Sequence, residues 1–243
     1  MKIADLQKLN EQRQKRLSCV VVTDLETGHS RLVLEEDAMD DVLAHNIMGA
    51  IASHKSAMIE VQGVKYFLHV HTPPIRILVL GAVHISQALV QMALTSDFDV
   101  TIIDPRTAFA TAERFPNTNI IADWPDEVLP KLGLDRHTAF VALTHDPKID
   151  DMGLALALKS KCFYIGALGS RKSHAKRVAR LQDQGFTSLE TSLIRAPIGL
   201  NIGAVSPAEI AVSILSEIIA ALRFERVALK GFEGQSLRVA DYA

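Results

Sequence analysis

The sequence predicts an α/β protein with a doubly wound parallel sheet, preceded by a small α+β domain. Two observations support this prediction. From residue 74 onwards, short apolar runs alternate repeatedly with segments of helical periodicity. These runs lack a strict alternation of polar and apolar residues, which is typical of parallel strands covered by helices on both faces. Residues 1–73 show a different pattern, of short strands joined by tight turns.

The first 73 residues predict a small α+β domain. We expect a polar helix over residues 2–16, a hairpin from strands 18–24 and 30–34, a helix within 40–53, and a second hairpin from strands 57–62 and 64–70. Pro73 and Pro74 cannot continue a central strand, so the domains are predicted to be 1–73 and 74–243. His69 and His71 share one strand face and could bind a metal ion, although the sequence nearby offers no third ligand.

The remaining residues predict the elements of a Rossmann-like domain. The predicted strands are 75–80, 100–103, 119–122, 139–143, 163–166 and 193–196, and the predicted helices are 84–96, 107–115, 125–132, 148–160, 171–184 and 207–223. Right-handed crossovers then give a doubly wound sheet. Such sheets bind ligands at the carboxyl ends of their strands, near the point where strand order reverses. The last helix is apolar nearly all round, which predicts burial in the domain or in a homodimer contact.

Composition excludes several classes of function. The net charge of −2 provides no basic surface for nucleic acid or an anionic membrane. Only two cysteines occur, far apart, which excludes a four-thiolate zinc site and favours a reducing compartment. The N-terminus has no apolar signal core, and the longest apolar stretch, 210–222, is interrupted by polar residues and is not expected to span a membrane. A cytoplasmic location is therefore expected.

The loops after the first two strands of the second domain lie where dinucleotides often bind. Gly81 begins the loop, but Val83 and Ser86 replace the second and third glycines of the dinucleotide fingerprint. Asp104 ends the second strand and could bind a ribose, together with Arg106, or cap the next helix. His84 could contact a ligand or simply pack. NAD(P) is therefore the alternative cofactor, and an NAD(P)-dependent oxidoreductase is the alternative function.

The loops after the later strands offer groups that could hold an anion. After the fourth strand, His145 and Asp146 could transfer a proton or contact a metal, or Asp146 could cap the helix that begins at Pro147. After the fifth strand, a glycine-rich loop leads into a helix that begins with a basic residue, a favourable arrangement for anion binding. The candidate residues of the last two loops are Gly166, Gly169, Ser170, Arg171, Arg195, Gly199 and Gly203.

Taken together, these loops resemble the XdhC/CoxI family of accessory factors for xanthine dehydrogenase and related molybdenum hydroxylases. The resemblance lies in segments 80–84, 103–106, 109–116, 143–147, 163–171, 196–203 and 207–215, in this order. It implies a maturation factor, rather than an enzyme, that binds molybdenum cofactor (molybdopterin) as cargo and assists its sulfuration and insertion. The implied partners are a molybdenum hydroxylase client and a cysteine desulfurase-type sulfur donor.

The candidate residues of the strand-end loops are the ones expected to hold this cofactor. They are Gly81, His84, Asp104, Arg106, His145, Asp146, Gly166, Gly169, Ser170, Arg171, Arg195, Gly199 and Gly203. One feature departs from the family pattern, because many members carry a larger N-terminal domain with a Ser-Gly-Gly-Cys-Val-Glu-type segment, and nothing similar occurs before Pro73. Cys19 lies in an apolar strand and is not expected to replace that cysteine, so we expect a second protein to supply the missing part.

Overall fold

The computed structural model describes residues 2–225, and these divide into two compact units, residues 2–73 with 223–225 and residues 74–222. The first unit contains α1 (Ile3–Gln14), β1 (Cys19–Asp24), β2 (Ser30–Leu34), a 3₁₀ turn (Ala38–Asp40), α2 (Ala44–Ser53), β3 (Ala57–Val61) and β4 (Val64–His71). The four strands form an antiparallel sheet in the order β2-β1-β4-β3. Helix α2 packs its buried residue Ile47 against Val20 and Leu68 on one face of this sheet.

The second unit is a parallel sheet with helices on both faces. Its strands are β5 (Arg76–Leu80), β6 (Asp99–Ile103), β7 (Asn119–Ile121), β8 (Thr138–Ala142), β9 (Tyr164–Ala167) and β10 (Ile194–Arg195), in the order β10-β9-β8-β5-β6-β7. Its helices are α3 (His84–Thr95), α4 (Pro125–Leu132), α5 (Pro147–Lys159), α6 (Arg171–Asp183), α7 (Ser188–Thr191) and α8 (Pro207–Ala220), followed by a π-helical turn (Ala221–Glu225). This arrangement confirms the predicted fold class.

The two faces of the sheet support separate apolar cores. Ile77 and Val79 point into a core formed with α3 and α8, whereas Leu78 and Leu80 point into the opposite core, which α4, α5 and α6 cover. All residues of β5 and β8 are buried, which explains the absence of polar alternation in their sequences. Strand order reverses between β5 and β8, so the loops after these two strands flank the switch point.

Helix α8 is largely buried within its own unit. It packs against α3, and Ala211, Ile214 and Ile218 have no solvent exposure. Only Val212 and Ile219 among its large apolar side chains are exposed, so the homodimer contact predicted from its sequence stays a prediction. Within residues 2–225, no helix combines the length and the apolar character that a membrane crossing requires.

The helix predicted over residues 107–115 does not form, and this is the largest difference from the predicted elements. The segment consists of turns instead. The carbonyl of Phe109 accepts hydrogen bonds from the Arg114 guanidinium (2.8 Å) and from the N–H of Thr111 (3.1 Å), which occupies an acceptor that a continuous helix would need. The predicted helix within residues 40–53 begins only at Ala44.

Candidate functional site

The loops that contain the predicted site residues follow β5, β6, β8, β9 and β10, and therefore lie at one edge of the parallel sheet. At the switch point, the loop after β5 approaches the loop after β8. Gly81 has φ +118°, and a Cβ on it would lie 2.9 Å from Cγ2 of Thr144 and 3.1 Å from its backbone nitrogen. This glycine therefore permits contact between the two loops. His84 follows in the first turn of α3 and is exposed.

Asp104 is bonded within its own part of the domain, and the ligand contact predicted for it stays a prediction. The residue is fully buried, and its carboxylate accepts hydrogen bonds from the Ala82 N–H (2.7 Å) and from Arg106, through the backbone N–H (2.9 Å) and the guanidinium (2.9 and 2.7 Å). Burial alone would raise the pKa of Asp104, but these hydrogen bonds outweigh it and hold the pKa below its ordinary value. A ribose could reach Asp104 only by displacing Arg106, and Asp104 caps no helix.

Arg106 is the predicted site residue of this loop that solvent reaches. Its side chain is 36% exposed, and the bond to Asp104 raises the pKa of the guanidinium. The negative charges of Asp146 and Asp150 raise that pKa further, which places Arg106 within electrostatic range of the loop after β8. The charge of Arg106 therefore lies close to the switch point, and its orientation is fixed by Asp104.

The loop after β8 exposes His145 and holds it in a strained conformation. His145 has φ +62°, in the left-handed region that non-glycine residues seldom occupy. Its N–H donates to Oδ2 of Asp150 (3.1 Å), while Thr144 donates its hydroxyl (2.6 Å) and its N–H (3.2 Å) to Oδ1. Asp146 is half-buried and caps α5, since its side chain accepts from the N–H of Lys148 (2.9 Å). The imidazole of His145 is thus available to a ligand, and the capping role predicted for Asp146 is confirmed.

Asp150 and Arg177 are buried positioning residues that the sequence reasoning did not identify. Oδ2 of Asp150 lies 3.8 Å from the Arg177 guanidinium, which donates to the carbonyl of Leu168 (3.0 Å) in the loop after β9. Desolvation raises the pKa of Asp150 despite these partners. The pair connects the loops after β8 and β9. No sequence signal distinguished Arg177, because it lies among other basic residues of α6 that resemble an ordinary solvated helix face.

The two glycines of the loop after β9 have different roles. Gly166 is buried, and a Cβ there would lie 2.5 Å from Ile198 and 2.8 Å from Tyr164, so close packing requires a glycine here. Its predicted ligand contact stays a prediction. Gly169 has φ +136° and lies against Ser173, which allows the chain to turn into α6. Ser170 caps that helix by accepting from the N–H of Ser173 (3.2 Å).

Arg171 is exposed and is the first residue of α6. The first N–H groups of a helix have no internal acceptor, and the helix dipole adds partial positive charge at this end. Lys172 follows and is exposed as well. The loop from Gly169 to Arg171 therefore keeps the properties expected of an anion site.

The last loop is tied to the body of the domain. Glu217 on α8 accepts from the hydroxyl of Tyr164 (2.6 Å) and from the N–H of Gly199 (2.8 Å), and lies 3.7 Å from Arg195. Gly199 has φ +93° and is packed against Ser213. Arg195 and Gly199 thus help to hold the loop in place, and the ligand contacts predicted for them stay predictions. Gly203 is exposed and has open space around its α-carbon.

The structure therefore separates the candidate residues into two groups. The candidate residues that solvent reaches at this edge are His84, Arg106, His145, Ser170, Arg171 and Gly203. Those that shape the loops are Gly81, Asp104, Asp146, Gly166, Gly169, Arg195 and Gly199. Within the described range 2–225, no cluster of three or more His, Cys, Asp or Glu side chains is arranged to hold a metal ion. Cationic side chains, imidazoles and a helix N-terminus suit the binding of an anionic ligand.

Comparison with known proteins agrees with this fold. The family pattern of the XdhC Rossmann domain matches residues 77–218. Two curated relatives are a probable subunit of the xanthine dehydrogenase of Bacillus subtilis (32% identical, over 65% of this chain and 46% of the relative) and the molybdenum cofactor insertion chaperone PaoD of Escherichia coli (30%, over 60% and 40%). The chain thus spans less than half the length of these relatives.

A solved structure extends the likeness in fold beyond the matched region. The crystal structure of a xanthine dehydrogenase from Bacillus halodurans superposes with a TM-score of 0.62 at 24% identity, over 90% of this chain and 63% of that chain. At this identity the likeness shows the fold alone. The match over residues 77–218, however, covers more than half of the chain and contains the loops that form the site. The chain therefore belongs to the XdhC family, through its Rossmann domain.

Proposed function

We propose that this protein binds molybdenum cofactor as cargo and assists its sulfuration and its insertion into a xanthine dehydrogenase-type hydroxylase. The observation that carries the proposal is that Arg106, His145 and Arg171 follow β6, β8 and β9 at the same edge of the parallel sheet and are all reached by solvent. The Escherichia coli relative is named a molybdenum cofactor insertion chaperone, which supports the same role.

The chemistry of the cofactor matches these groups. Molybdenum cofactor carries a phosphate, a flat pterin and an anionic metal centre. The phosphate would bind at the loop from Gly169 to Arg171, which offers backbone N–H groups at the start of α6 and an exposed guanidinium. The metal centre would lie near His145, whose imidazole is exposed at the switch point. Arg195 is a weaker candidate for this role, since Glu217 already pairs with it.

The sulfur for the metal centre would come from a second protein. Burial raises the pKa of Cys19, and burial together with Asp135 raises the pKa of Cys162 to about 12. Both thiols therefore stay protonated at neutral pH and are poor nucleophiles. We propose a cysteine desulfurase-type donor and a molybdenum hydroxylase client as partners. The cytoplasmic location and the homodimer remain predictions, and light scattering that gives the monomer mass of 26.6 kDa at micromolar concentration would exclude the dimer.

Arg171→Ala tests the anion site. A bidentate contact between a guanidinium and a phosphate contributes roughly 1.5–3 kcal/mol, so the substitution should weaken molybdopterin binding about ten- to a hundredfold. Arg171→Lys should restore part of the affinity, because an ammonium cannot make the two-pronged contact. The melting temperature should barely change, since Arg171 is exposed.

Lys176→Ala is the matched control, because it removes one exposed positive charge from the same helix, more than one turn further along. It should leave molybdopterin affinity nearly unchanged. If Arg171→Ala binds molybdopterin as tightly as the unaltered protein does, the anion site lies elsewhere. Titration with NAD and NADP tests the alternative function. Val83, a β-branched residue, stands where a pyrophosphate would approach the backbone, so we expect dissociation constants no better than high micromolar.

A further inference from the structure

Phe109 is exposed in the irregular loop after β6. The proposed function gives this side chain no role. Its side chain is 45% exposed, although burial would favour folding for a side chain of this size. The ring is accompanied by two cations. Cζ of Arg106 lies 4.8 Å from the ring centroid, and Cζ of Arg114 lies 5.8 Å from it. Both distances are within the range of cation–π attraction.

Both guanidinium groups are held by other parts of the site. Asp104 fixes Arg106 through two hydrogen bonds, as described above. Arg114 donates to the carbonyl of Ala82 (2.8 Å) and to that of Phe109 itself (2.8 Å). The N–H of Ala82 in turn donates to Asp104. Both the N–H and the carbonyl of Ala82 therefore tie the loop after β5 to the loop that carries Phe109. These loops lie at the switch point, where ligands of such sheets bind.

The result is a preordered surface made of one aromatic ring and two guanidinium groups, which we name the aromatic platform (Arg106, Phe109 and Arg114). Proteins bind planar heteroaromatic rings on such surfaces, through stacking and cation–π attraction. A ring that carries a negatively charged group gains additional attraction from Arg106, whose side chain is partly exposed.

We infer that the aromatic platform binds the planar heteroaromatic ring of the anionic ligand that occupies this site. This inference rests on the proposed function in naming a pterin as the expected ring. An adenine nucleotide has the same combination of a flat ring and an anion, and is the second source of such chemistry. The anion loop at Arg171 and the platform lie on opposite sides of the switch point, so one ligand could use both.

The experiment uses the full chain and three probes, which are pterin-6-carboxylate, ADP and molybdopterin, in calorimetric titrations. Phe109→Leu keeps an apolar side chain of similar size but removes the ring. It should weaken binding of pterin-6-carboxylate and molybdopterin about five- to a hundredfold, whereas Phe109→Tyr should keep the affinity. Trp124→Leu is the matched control, since Trp124 is 46% exposed but follows β7, at the outer edge of the sheet. It should leave the affinities for all three probes unchanged.

The outcomes separate this inference from the proposed function. If Phe109→Leu binds every probe as the unaltered protein does, or if the unaltered protein binds none of them, the platform is not a binding surface. If molybdopterin binding depends on Arg171 but not on Phe109, the proposed function stands and the platform fails. If only ADP binding depends on Phe109 and molybdopterin does not bind, the platform stands with a nucleotide as its ligand and the proposed function fails.

Discussion

The substitution Asp104→Asn distinguishes a residue that holds the fold from one that holds a ligand. The Asp104 carboxylate accepts hydrogen bonds from the Ala82 N–H and from three nitrogens of Arg106. An asparagine of the same shape has a single acceptor oxygen, and its NH₂ group would face donors. We therefore expect the substitution to destabilise the ligand-free protein.

The size of this effect follows from the contacts. The buried Ala82 N–H loses its acceptor or must share it, at a cost of about 1–3 kcal/mol. The contacts with the Arg106 guanidinium contribute about 1 kcal/mol, because this side chain is 36% exposed and solvent screens the pair. The total is about 2–4 kcal/mol, which corresponds to a fall of about 5–15 °C in the melting temperature of a unit of this size.

Differential scanning calorimetry of the ligand-free protein provides the measurement. Asp146→Asn is the matched control, since asparagine caps a helix about as well as aspartate, and it should leave the melting temperature nearly unchanged. A melting temperature within about 1 °C of the unaltered protein for Asp104→Asn, together with weaker ligand binding, would refute the structural role and restore the ribose contact first expected for this residue.

The lowered pKa of Asp104 also predicts how the stability difference between the unaltered protein and Asp104→Asn depends on pH. The pKa of Asp104 in the folded protein lies below its ordinary value of 3.8. A lowered pKa contributes stability that is fully present above the unfolded pKa and is lost as pH falls through the folded pKa. The stability difference between the unaltered protein and Asp104→Asn should therefore be constant near neutral pH and should shrink below about pH 4.

The remaining predictions concern packing and thiol reactivity. Gly199→Ala should lower the free energy of unfolding in urea by more than about 2 kcal/mol, because the new Cβ would collide with Ser213 and the backbone has φ +93°. Gly203→Ala should lower it by only about 1 kcal/mol, because the residue has φ +74° but lies in open space. Equal losses for the two variants would contradict this reasoning. Cys19 and Cys162 should resist iodoacetamide at pH 7.5 in the native protein and react on unfolding, because burial raises the pKa of both thiols. Rapid native labelling of either would instead identify a sulfur acceptor within this chain.

Local patterns in the sequence determined much of the architecture. The apolar runs predicted all six parallel strands to within a few residues, because a strand buried on both faces requires apolar side chains at every position. The N-cap of α5 was visible for a similar reason, since a cap and its helix are adjacent in the chain. The loops at the strand ends and the family segments could be identified for the same reason, because each is a continuous stretch of the sequence.

Tertiary structure decided which of the candidate residues remain available to a ligand. The pairing of Asp104 with Ala82, the contact of Gly166 with Ile198, and the tie between Asp150 and Arg177 all join residues that are distant in sequence. Only the strand order brings them together, and the reversal between β5 and β8 cannot be read from periodicity. The predicted helix over 107–115 failed likewise, because the Arg114 side chain competes for a backbone carbonyl that the helix needs. Periodicity records which residues are buried, whereas the partner of each buried polar group depends on the three-dimensional neighbourhood.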